Sequence, residues 1–368
     1  MVGNVISPDF GGGSIEHPIY GAEWAGTSDP SWTRTDAAVG FSSPNPYYAG
    51  MSTTPSSPFD NIMPWSGMRR VTDANAGELV EIPKFYYKWT RDGVKMKLQI
   101  SMSQFDGSYV SPAHADRGDG VGERDYVYVG RYHCASDYKS KTGVIPITQI
   151  TRATARTNIH NLGNNIWQHD IAMLWTIRML YLVEFANWNS QSCIGYGCGN
   201  DSGMENVGAS DNMPYHTGTM KSNCNTYGVG VQYRHIEGLW ENAYDFTDGV
   251  YFSSNNIYII TNPANFSDSS GGVNVGTRGT SAGFISSLSE TISNYNWAML
   301  NKDVNGSSTT YLCDAVSAVT GTILYSGGGY GQSQNRGLFY MGEDMGVSST
   351  GSSVGSRLMV LPPSRLSA

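Results

Sequence analysis

Charged residues, cysteines and long apolar runs are all scarce in this chain of 368 residues. Only 15% of the residues are charged, well below the usual quarter, while 44 are glycine. This composition excludes a coiled coil or a collagen-like rod and favours a loop-rich, β-containing protein over a helical cytosolic enzyme. The formal net charge is −8 and no basic stripe is present, which argues against contacts with phosphates. The sequence therefore predicts no nucleic-acid partner.

Membrane insertion is not expected either, because no stretch reaches 18 uninterrupted apolar residues. The best candidate, residues 171–186, is short and carries Arg178 and Glu184, which indicates a core helix. The first 13 residues lack a basic region followed by an apolar core, so no secretory signal is predicted. A protein with these features that works outside a cell is expected to leave by lysis or on a particle.

Metal and disulfide chemistry have little support in the sequence. The five cysteines are too sparse for a disulfide framework, and Cys193 and Cys198 have no second His or Cys pair at zinc-like spacing. Residues 116–125 form an acidic, glycine-rich segment that suits a hard cation but does not match EF-hand spacing. We predict no cofactor, leave a structural calcium open, and interpret the acidic segment as a solvated turn.

The chain divides into two regions by composition. Residues 1–62 are rich in Gly, Ser, Pro and aromatics and predict a small, β-rich attachment and oligomerisation region. Residues 63–368 predict the main domain. Residues 79–89 are dense in β-branched and aromatic side chains, and residues 96–102 alternate apolar with polar, so both indicate strands joined by a hairpin at 91–93.

Two helices and several later strands are predicted. Apolar residues at helical spacing indicate a helix over 166–188, with one face against a sheet, and a second is placed at 148–158. The remaining chain is irregular, broken by short segments typical of strands: 229–233, 257–260, 321–325, 337–340 and 356–360.

Signals of catalysis are weak. Residues 279–283 read Gly-Thr-Ser-Ala-Gly, which matches the nucleophile-elbow pattern, but that fold places its histidine after the serine. The last histidine of this chain is His235, so no base follows. Phosphate-binding loops, dinucleotide fingerprints and His-Glu-x-x-His pairs are missing as well. We predict that the protein is not an enzyme.

Several motifs do carry a resemblance. Residues 237–249 read Glu-Gly-Leu-Trp-Glu-Asn-Ala-Tyr-Asp-Phe-Thr-Asp-Gly, and residues 182–186 read Leu-Val-Glu-Phe-Ala. Both resemble segments of the formylglycine-generating-enzyme-like branch of the C-type lectin fold. Residues 327–358 are similar to the variable region of proteins diversified by retroelements, which include tropism determinants of phages. Segments 19–24, 64–68 and 82–86 resemble phage and prophage tail proteins that carry this domain.

The resemblance implies an α+β protein with a C-type lectin fold: short twisted antiparallel sheets, one or two helices and much irregular loop. It further implies a homotrimeric receptor-binding protein at a phage tail tip or fibre, part of the virion and made in the host cytoplasm. Its partners would be a bacterial surface protein or glycan and, through residues 1–62, other tail proteins.

In such proteins the C-terminal segment, here 325–358, displays variable side chains on a fixed scaffold. Apolar residues of the segment are expected to be buried anchors: Leu338, Phe339, Val354, Leu358 and Met359. The small or polar positions between them are expected to contact the receptor: Tyr330, Gly331, Gln332, Asn335, Tyr340, Gly342, Asp344, Met345, Ser349, Gly351 and Ser353. Tyr, Asn, Ser and Gly suit an adaptable recognition surface, with Tyr330 and Tyr340 as rigid anchors.

Two rival functions follow from the same motifs. A structural tail or baseplate component would use the same fold without a receptor surface. An oxidase of the formylglycine-generating type would need a pair of cysteines in the C-terminal segment, but residues 314–368 contain none. The oxidase is therefore the least favoured of the three.

Overall fold

A computed structural model describes residues 17–197, 203–332 and 334–366, and strands dominate these residues. They contain 24 strands, most of two to five residues, and three α-helices, of which one exceeds nine residues. The predicted α+β, C-type-lectin-like class is therefore wrong, because the protein is β-rich. The physical reason is that its apolar residues are spread over short alternating segments bounded by turn residues, which support strands, whereas one continuous apolar run supports a long helix.

The elements of the first part of the chain are, in order, β1 (Tyr20–Trp24), β2 (Thr33–Asp36), β3 (Tyr47–Tyr48), β4 (Arg69–Asp73), β5 (Gly77–Pro83), β6 (Tyr86–Asp92), β7 (Lys95–Ser101), β8 (Tyr109–Val110), β9 (Tyr126–Gly130), α1 (Arg152–His160), β10 (Ile166–Gln168), α2 (Ile171–Phe185) and α3 (Ser190–Cys193). Short 3₁₀ helices lie at Trp65–Gly67, Pro263–Asn265 and Ser293–Tyr295.

The strands of the second part are β11 (Gly218–Thr219), β12 (Val231–Tyr233), β13 (Ile236–Glu237), β14 (Tyr244–Ser253), β15 (Asn256–Ile259), β16 (Val273–Thr277), β17 (Gly283–Phe284), β18 (Ser287–Leu288), β19 (Asn301–Asp303), β20 (Ala315–Val316), β21 (Ile323–Gly327), β22 (Met341–Met345), β23 (Val354–Gly355) and β24 (Leu358–Val360).

These strands form several sheets. The largest has the order β16-β15-β14-β21-β22-β20-β17, with β23 parallel to β14. Two five-stranded sheets have the orders β2-β1-β7-β6-β8 and β10-β24-β9-β5-β4, and smaller sheets contain β13-β12-β11-β3 and β18-β19. The last strand, β24, pairs with β9 and β10, so the C-terminal segment leaves the largest sheet and ends in another.

Helix α2 lies in the main core between the sheets. Its 15 residues are all buried, so the predicted single apolar face is wrong. The side chain of Asp170 accepts the backbone N–H of Met173 at 2.8 Å, which caps the helix and fixes its start at Ile171. The residues before the cap, predicted to be helical, instead form β10 and pair with β24.

Residues 17–62 do not fold apart from the rest of the chain. Strand β1 lies between β2 and β7, with Ala22 opposite Leu98, and Trp24, Trp32 and Phe59 belong to the main hydrophobic core. The attachment role expected for residues 1–62 stays a prediction, and residues 1–16 lie outside the described part of the chain.

Buried or largely buried arginines pair with carboxylates around α2 and α1. Arg117 donates to Asp170, Arg234 contacts Glu184 at 2.6 Å, and Arg156 contacts Asp248 at 2.6 Å. Each pair joins segments far apart in sequence, so the charges help to fix which segments meet. No helix among the described residues is long and apolar enough to cross a membrane.

Candidate functional site

The C-terminal segment packs directly against the Leu-Trp-Glu-Asn motif at 239–242. The backbone of Gly327–Gly329 lies so close that a Cβ on Gly328 would be 2.7 Å from the carbonyl oxygen of Trp240. The backbone N–H of Tyr330 then donates to the carbonyl of Asn242 at 3.0 Å. Only glycine permits this approach, so the two motifs singled out in the sequence form one structural unit.

The motif is itself rigid. Glu241 is fully buried and accepts the backbone N–H groups of Gly230 and Val231 at 2.9 and 2.8 Å. Burial raises the pKa of the Glu241 carboxyl well above its usual value. The indole N–H of Trp240 donates to the carbonyl of Gly195 at 2.9 Å. The motif therefore forms a fixed, buried base on which the C-terminal segment packs, and its side chains are not exposed.

A turn at 336–340 is held from below by three buried side chains. Asp314 accepts the N–H groups of Gly337 and Phe339, the latter at 2.8 Å, and Ser190 accepts the N–H of Leu338 at 2.9 Å. Arg178 of α2 donates from Nε to the carbonyl of Leu338 at 3.0 Å. The strand predicted over 337–340 is therefore wrong: the backbone groups of this stretch bond to these side chains and, from the Tyr340 N–H to the Gly337 carbonyl, within the turn.

The five apolar anchors predicted for the segment are confirmed as buried. These are Leu338, Phe339, Val354, Leu358 and Met359. Phe339 packs edge-on against Trp188 with ring centroids 4.8 Å apart, which connects the segment to the main core.

Tyr340 and Gly342, predicted to be displayed, are both buried. The ring of Tyr340 packs with those of Tyr244 and Tyr325, at centroid distances of 5.5 and 6.2 Å. Arg336 lies 4.3 Å over the Tyr340 ring and donates to its hydroxyl. Tyr340 faces inward because the turn at 336–340 directs it to the aromatic cluster, so it supports the surface from beneath.

Gly342 is buried because the Tyr325 ring covers it. The two residues are paired across β21 and β22, and a Cβ on Gly342 would be 2.1 Å from the ring. The Tyr325 hydroxyl donates to Asp344 Oδ1 at 2.6 Å, and Ser317 donates to the same oxygen at 3.1 Å. The hydroxyls of Tyr325 and Ser317 thus hold the exposed Asp344 carboxylate in position.

The other predicted contact residues are all at least partly accessible. Gly331 and Asp344 are exposed, and the rest are half-buried: Tyr330, Gln332, Asn335, Met345, Ser349, Gly351 and Ser353. We call these nine residues the display surface.

Contacts among residues 329–353 show that much of the display surface is continuous. A Cβ on Gly329, next to Tyr330, would be 3.1 Å from Ser353 Cβ, and one on Gly351 would be 3.7 Å from Met345 Cε. Ser349 accepts the N–H of Gly346 at 2.9 Å, which folds the 346–349 turn back on itself. Three separate stretches, at 330, 344–345 and 349–353, therefore meet around the cluster of Tyr244, Tyr325 and Tyr340.

Sequence reasoning missed three residues that position the display surface: Tyr244, Tyr325 and Arg336. Tyr325 lies in a predicted strand, but the pattern of apolar residues in that strand could not show that the Tyr325 ring covers Gly342. Arg336 Nε and Asn335 Oδ1 are buried atoms without a hydrogen-bond partner among the described residues.

The two candidate cation sites are the acidic segment at 116–125 and the pair Cys193 and Cys198. In the acidic segment, Asp119 pairs with Arg124, and Asp125 pairs with Lys84 at 2.7 Å, so internal cations already contact these carboxylates. Burial raises the pKa of Cys193 to about 11, which disfavours the thiolate form that binds metals, and Cys198 lies outside the described residues. Within the described ranges, no group of three or more His, Cys, Asp or Glu side chains is arranged to hold a metal ion.

Comparison with known proteins gives no assignment: no protein-family model matches the chain, and no curated protein matches it.

Replacing Gly342 by alanine is expected to destabilise the protein by about 1–3 kcal/mol, because the new Cβ would overlap the Tyr325 ring, which Tyr244 and Tyr340 hold in place. Urea unfolding measures the loss. The matched control is Gly346→Ala at the end of β22, where the nearest atom to the new Cβ is 3.8 Å away and little change is expected.

A double variant, Gly342→Ala with Tyr325→Ala, tests the cause of this destabilisation. Removing the ring removes the overlap, so the double variant should lose less than the sum of the single losses. Strict additivity would show that the Tyr325 ring is not what excludes a side chain at position 342.

Proposed function

We propose that this protein is a receptor-binding protein of a phage tail, which adsorbs to a bacterial surface protein or glycan through the display surface. The observation that carries the proposal is the division within 330–353 between fixed supports and accessible side chains. Asp314, Ser190 and Arg178 hold the backbone, the tyrosine cluster supports it, and small or polar groups face outward. The resemblance of residues 327–358 to retroelement-diversified variable regions supports the same role.

This construction suits recognition because most accessible side chains of the surface have little part in holding the fold. Tyr330 makes no side-chain hydrogen bond within the described part of the chain, while Asp344 is fixed by Tyr325 and Ser317. Rigid aromatic groups and adaptable polar groups together are the pattern of antibody binding sites. Binding would be noncovalent, and several copies on one particle would strengthen adsorption through avidity.

Adsorption of the labelled, purified protein to a panel of candidate bacteria tests the proposal. We expect wild type to bind a subset of strains. A variant with alanine at four display positions, Tyr330, Gln332, Asp344 and Ser349, should lose at least about 30-fold in affinity, since each hot-spot truncation costs about 2 kcal/mol or more.

The matched control replaces four accessible residues of similar type elsewhere on the protein: Tyr86, Gln104, Asp106 and Ser281. This control should bind like wild type, and circular dichroism should show both variants folded. Equal binding by the display variant and wild type would refute the proposed surface. Failure of wild type to bind any strain would favour a structural tail component instead.

A further inference from the structure

Asp344 is the one exposed charged side chain of residues 325–358. This segment contains four charged residues: Arg336, Glu343, Asp344 and Arg357. Glu343 and Arg357 are buried, Arg336 is half-buried, and Asp344 is exposed. The display surface therefore presents a negative charge to any molecule that it contacts.

The other three charges of the segment are already matched by neighbouring groups. Glu343 pairs with Arg278 at 2.9 Å, and Arg357 pairs with Asp245 at 2.9 Å. The Arg336 guanidinium lies over the Tyr340 ring and donates to its hydroxyl. Asp344, in contrast, makes no ion pair with any residue that the structure describes, so its charge is open to an external partner.

Only one of the two Asp344 oxygens is used within the protein. The Tyr325 hydroxyl donates to Oδ1 at 2.6 Å, and the Ser317 hydroxyl donates to the same atom at 3.1 Å. Ser317 accepts the N–H of Glu343 at 2.7 Å, which directs its single proton towards Asp344. Oδ2 has no hydrogen-bond partner among the described residues and belongs to an exposed side chain, so a donor from solvent or from a partner can reach it.

The position of this carboxylate is set before any partner binds. The ring of Tyr325 packs against those of Tyr244 and Tyr340, with centroids 5.0 and 6.2 Å away, which fixes the hydroxyl that holds Asp344. A side chain that is already ordered loses little conformational entropy on binding. A fixed carboxylate with one free oxygen suits a charge-assisted hydrogen bond from a cation and opposes an anion.

We propose that the display surface recognises a bacterial surface protein through a lysine or arginine side chain that donates to Asp344 Oδ2. This inference rests on the function proposed above and selects a protein over a glycan as the receptor. Lysine and arginine are the ordinary cations of protein surfaces, whereas sugar rings are mostly neutral or acidic. An acidic glycan would meet the negative charge of Asp344, and a neutral one would form the weaker, uncharged type of hydrogen bond with it.

Substitution of Asp344 tests the charge. Asp344→Asn keeps an oxygen that can accept from Tyr325 and Ser317, so it removes the charge and preserves the fold. At about 50 mM salt we expect adsorption to bacteria to weaken about 10-fold for Asp344→Asn and about 100-fold for Asp344→Lys. Adsorption of wild type should weaken as salt rises to about 500 mM, and that of Asp344→Asn should change much less.

Asp106→Asn and Asp106→Lys are the matched controls. Asp106 is also exposed and makes no ion pair within the described part of the chain, but it lies outside the display surface. Both variants should bind like wild type and show the same dependence on salt. Circular dichroism should show all four variants folded, and Asp344→Asn keeps the test decisive if Asp344→Lys does not fold.

Pretreatment of the bacteria identifies the source of the cation. Digestion of surface proteins with a protease should abolish adsorption of wild type, and oxidation of surface glycans with periodate should leave it unchanged. Adsorption that survives the protease, or a large loss after periodate, would assign the receptor to a glycan and overturn the proposal.

A triple variant separates this inference from the function on which it rests. It carries alanine at Tyr330, Gln332 and Ser349 and retains Asp344. If the triple variant loses adsorption while Asp344→Asn binds like wild type, with the same salt dependence, the display surface binds a receptor but the inferred cation is wrong. If wild type binds no strain, or all display variants bind like wild type, the proposed function itself fails.

Discussion

Replacing Glu184 by alanine is expected to destabilise the protein by about 3–5 kcal/mol, because it leaves a buried arginine without its main partner. Glu184 is the last-turn carboxylate of α2 and is fully buried. It accepts from Arg234 at 2.8 and 2.6 Å, from the Tyr233 hydroxyl at 2.9 Å and from Ser57 at 2.7 Å. Among the described residues, the only other carboxylate that contacts Arg234 is Asp60, at 3.4 Å.

Urea unfolding of wild type and variant gives this difference in free energy. Glu290→Ala is the control, since Glu290 is exposed and makes no ion pair within the described residues, and its effect should stay within about 0.5 kcal/mol. A loss below about 1 kcal/mol for Glu184→Ala would show that Asp60 or solvent replaces the missing carboxylate. The hydrogen bonds that Glu184 accepts would then not be a main link between α2 and residues 57–60.

The second large effect is a dependence of stability on pH that Asp314 causes. Burial raises the pKa of the Asp314 carboxyl to about 7, although the N–H groups of Gly337 and Phe339 and the charge of Arg178 act in the opposite direction. In the unfolded chain the pKa of an aspartate is about 3.9. Between about pH 4 and pH 7, Asp314 is therefore protonated in the folded state but ionised in the unfolded state.

Because the folded state binds more protons in this window, the free energy of unfolding falls as pH rises from about 4 to 7. The contribution of Asp314 can reach about 4 kcal/mol over these three pH units. Asp314→Asn lacks a titrating group, so its stability relative to wild type should improve steadily over this range and then level off.

Chemical denaturation of both proteins at pH 4, 5, 6 and 7 measures this trend. Burial also raises the pKa of Glu343 to about 7 and that of Glu241 well above its usual value, so the wild-type curve alone mixes several carboxylates, whereas the difference between the two proteins isolates Asp314. A difference that stays constant from pH 4 to pH 7 would contradict the raised pKa. It would indicate that the N–H groups and Arg178 stabilise the charged form as strongly as burial destabilises it.

Local sequence patterns predicted several elements well. The alternation over 96–102 corresponds to β7, and the hairpin predicted at 91–93 joins β6 to β7 with Asp92 opposite Lys95. The short helix predicted at 148–158 is α1, shifted by a few residues, and the apolar run at 171–185 is α2. In each case the period of apolar residues, or a continuous apolar run, is a property of neighbouring residues and can be seen in the sequence.

Other elements were missed because their partners are distant in the chain. The single strand predicted over 79–89 is two strands, β5 and β6, which belong to different sheets. The first ends at Pro83, and the Lys84 N–H bonds to the carbonyl of Asp125 instead of continuing a ladder. Strand propensity showed that these residues are extended but could not show which sheet each one joins.

The motifs that carry the resemblance and the burial of the apolar anchors in the C-terminal segment could be predicted from the sequence alone. That Tyr340 and Gly342 are covered while Asp344 is exposed, and that the Gly-Gly-Gly stretch lies on the Trp240 motif, became known from the three-dimensional fold. The physical reason is that a periodic pattern tells which side chains share a face. Whether that face is buried depends on strands and side chains that long-range packing brings against it, such as Tyr244, Tyr325 and Asp314.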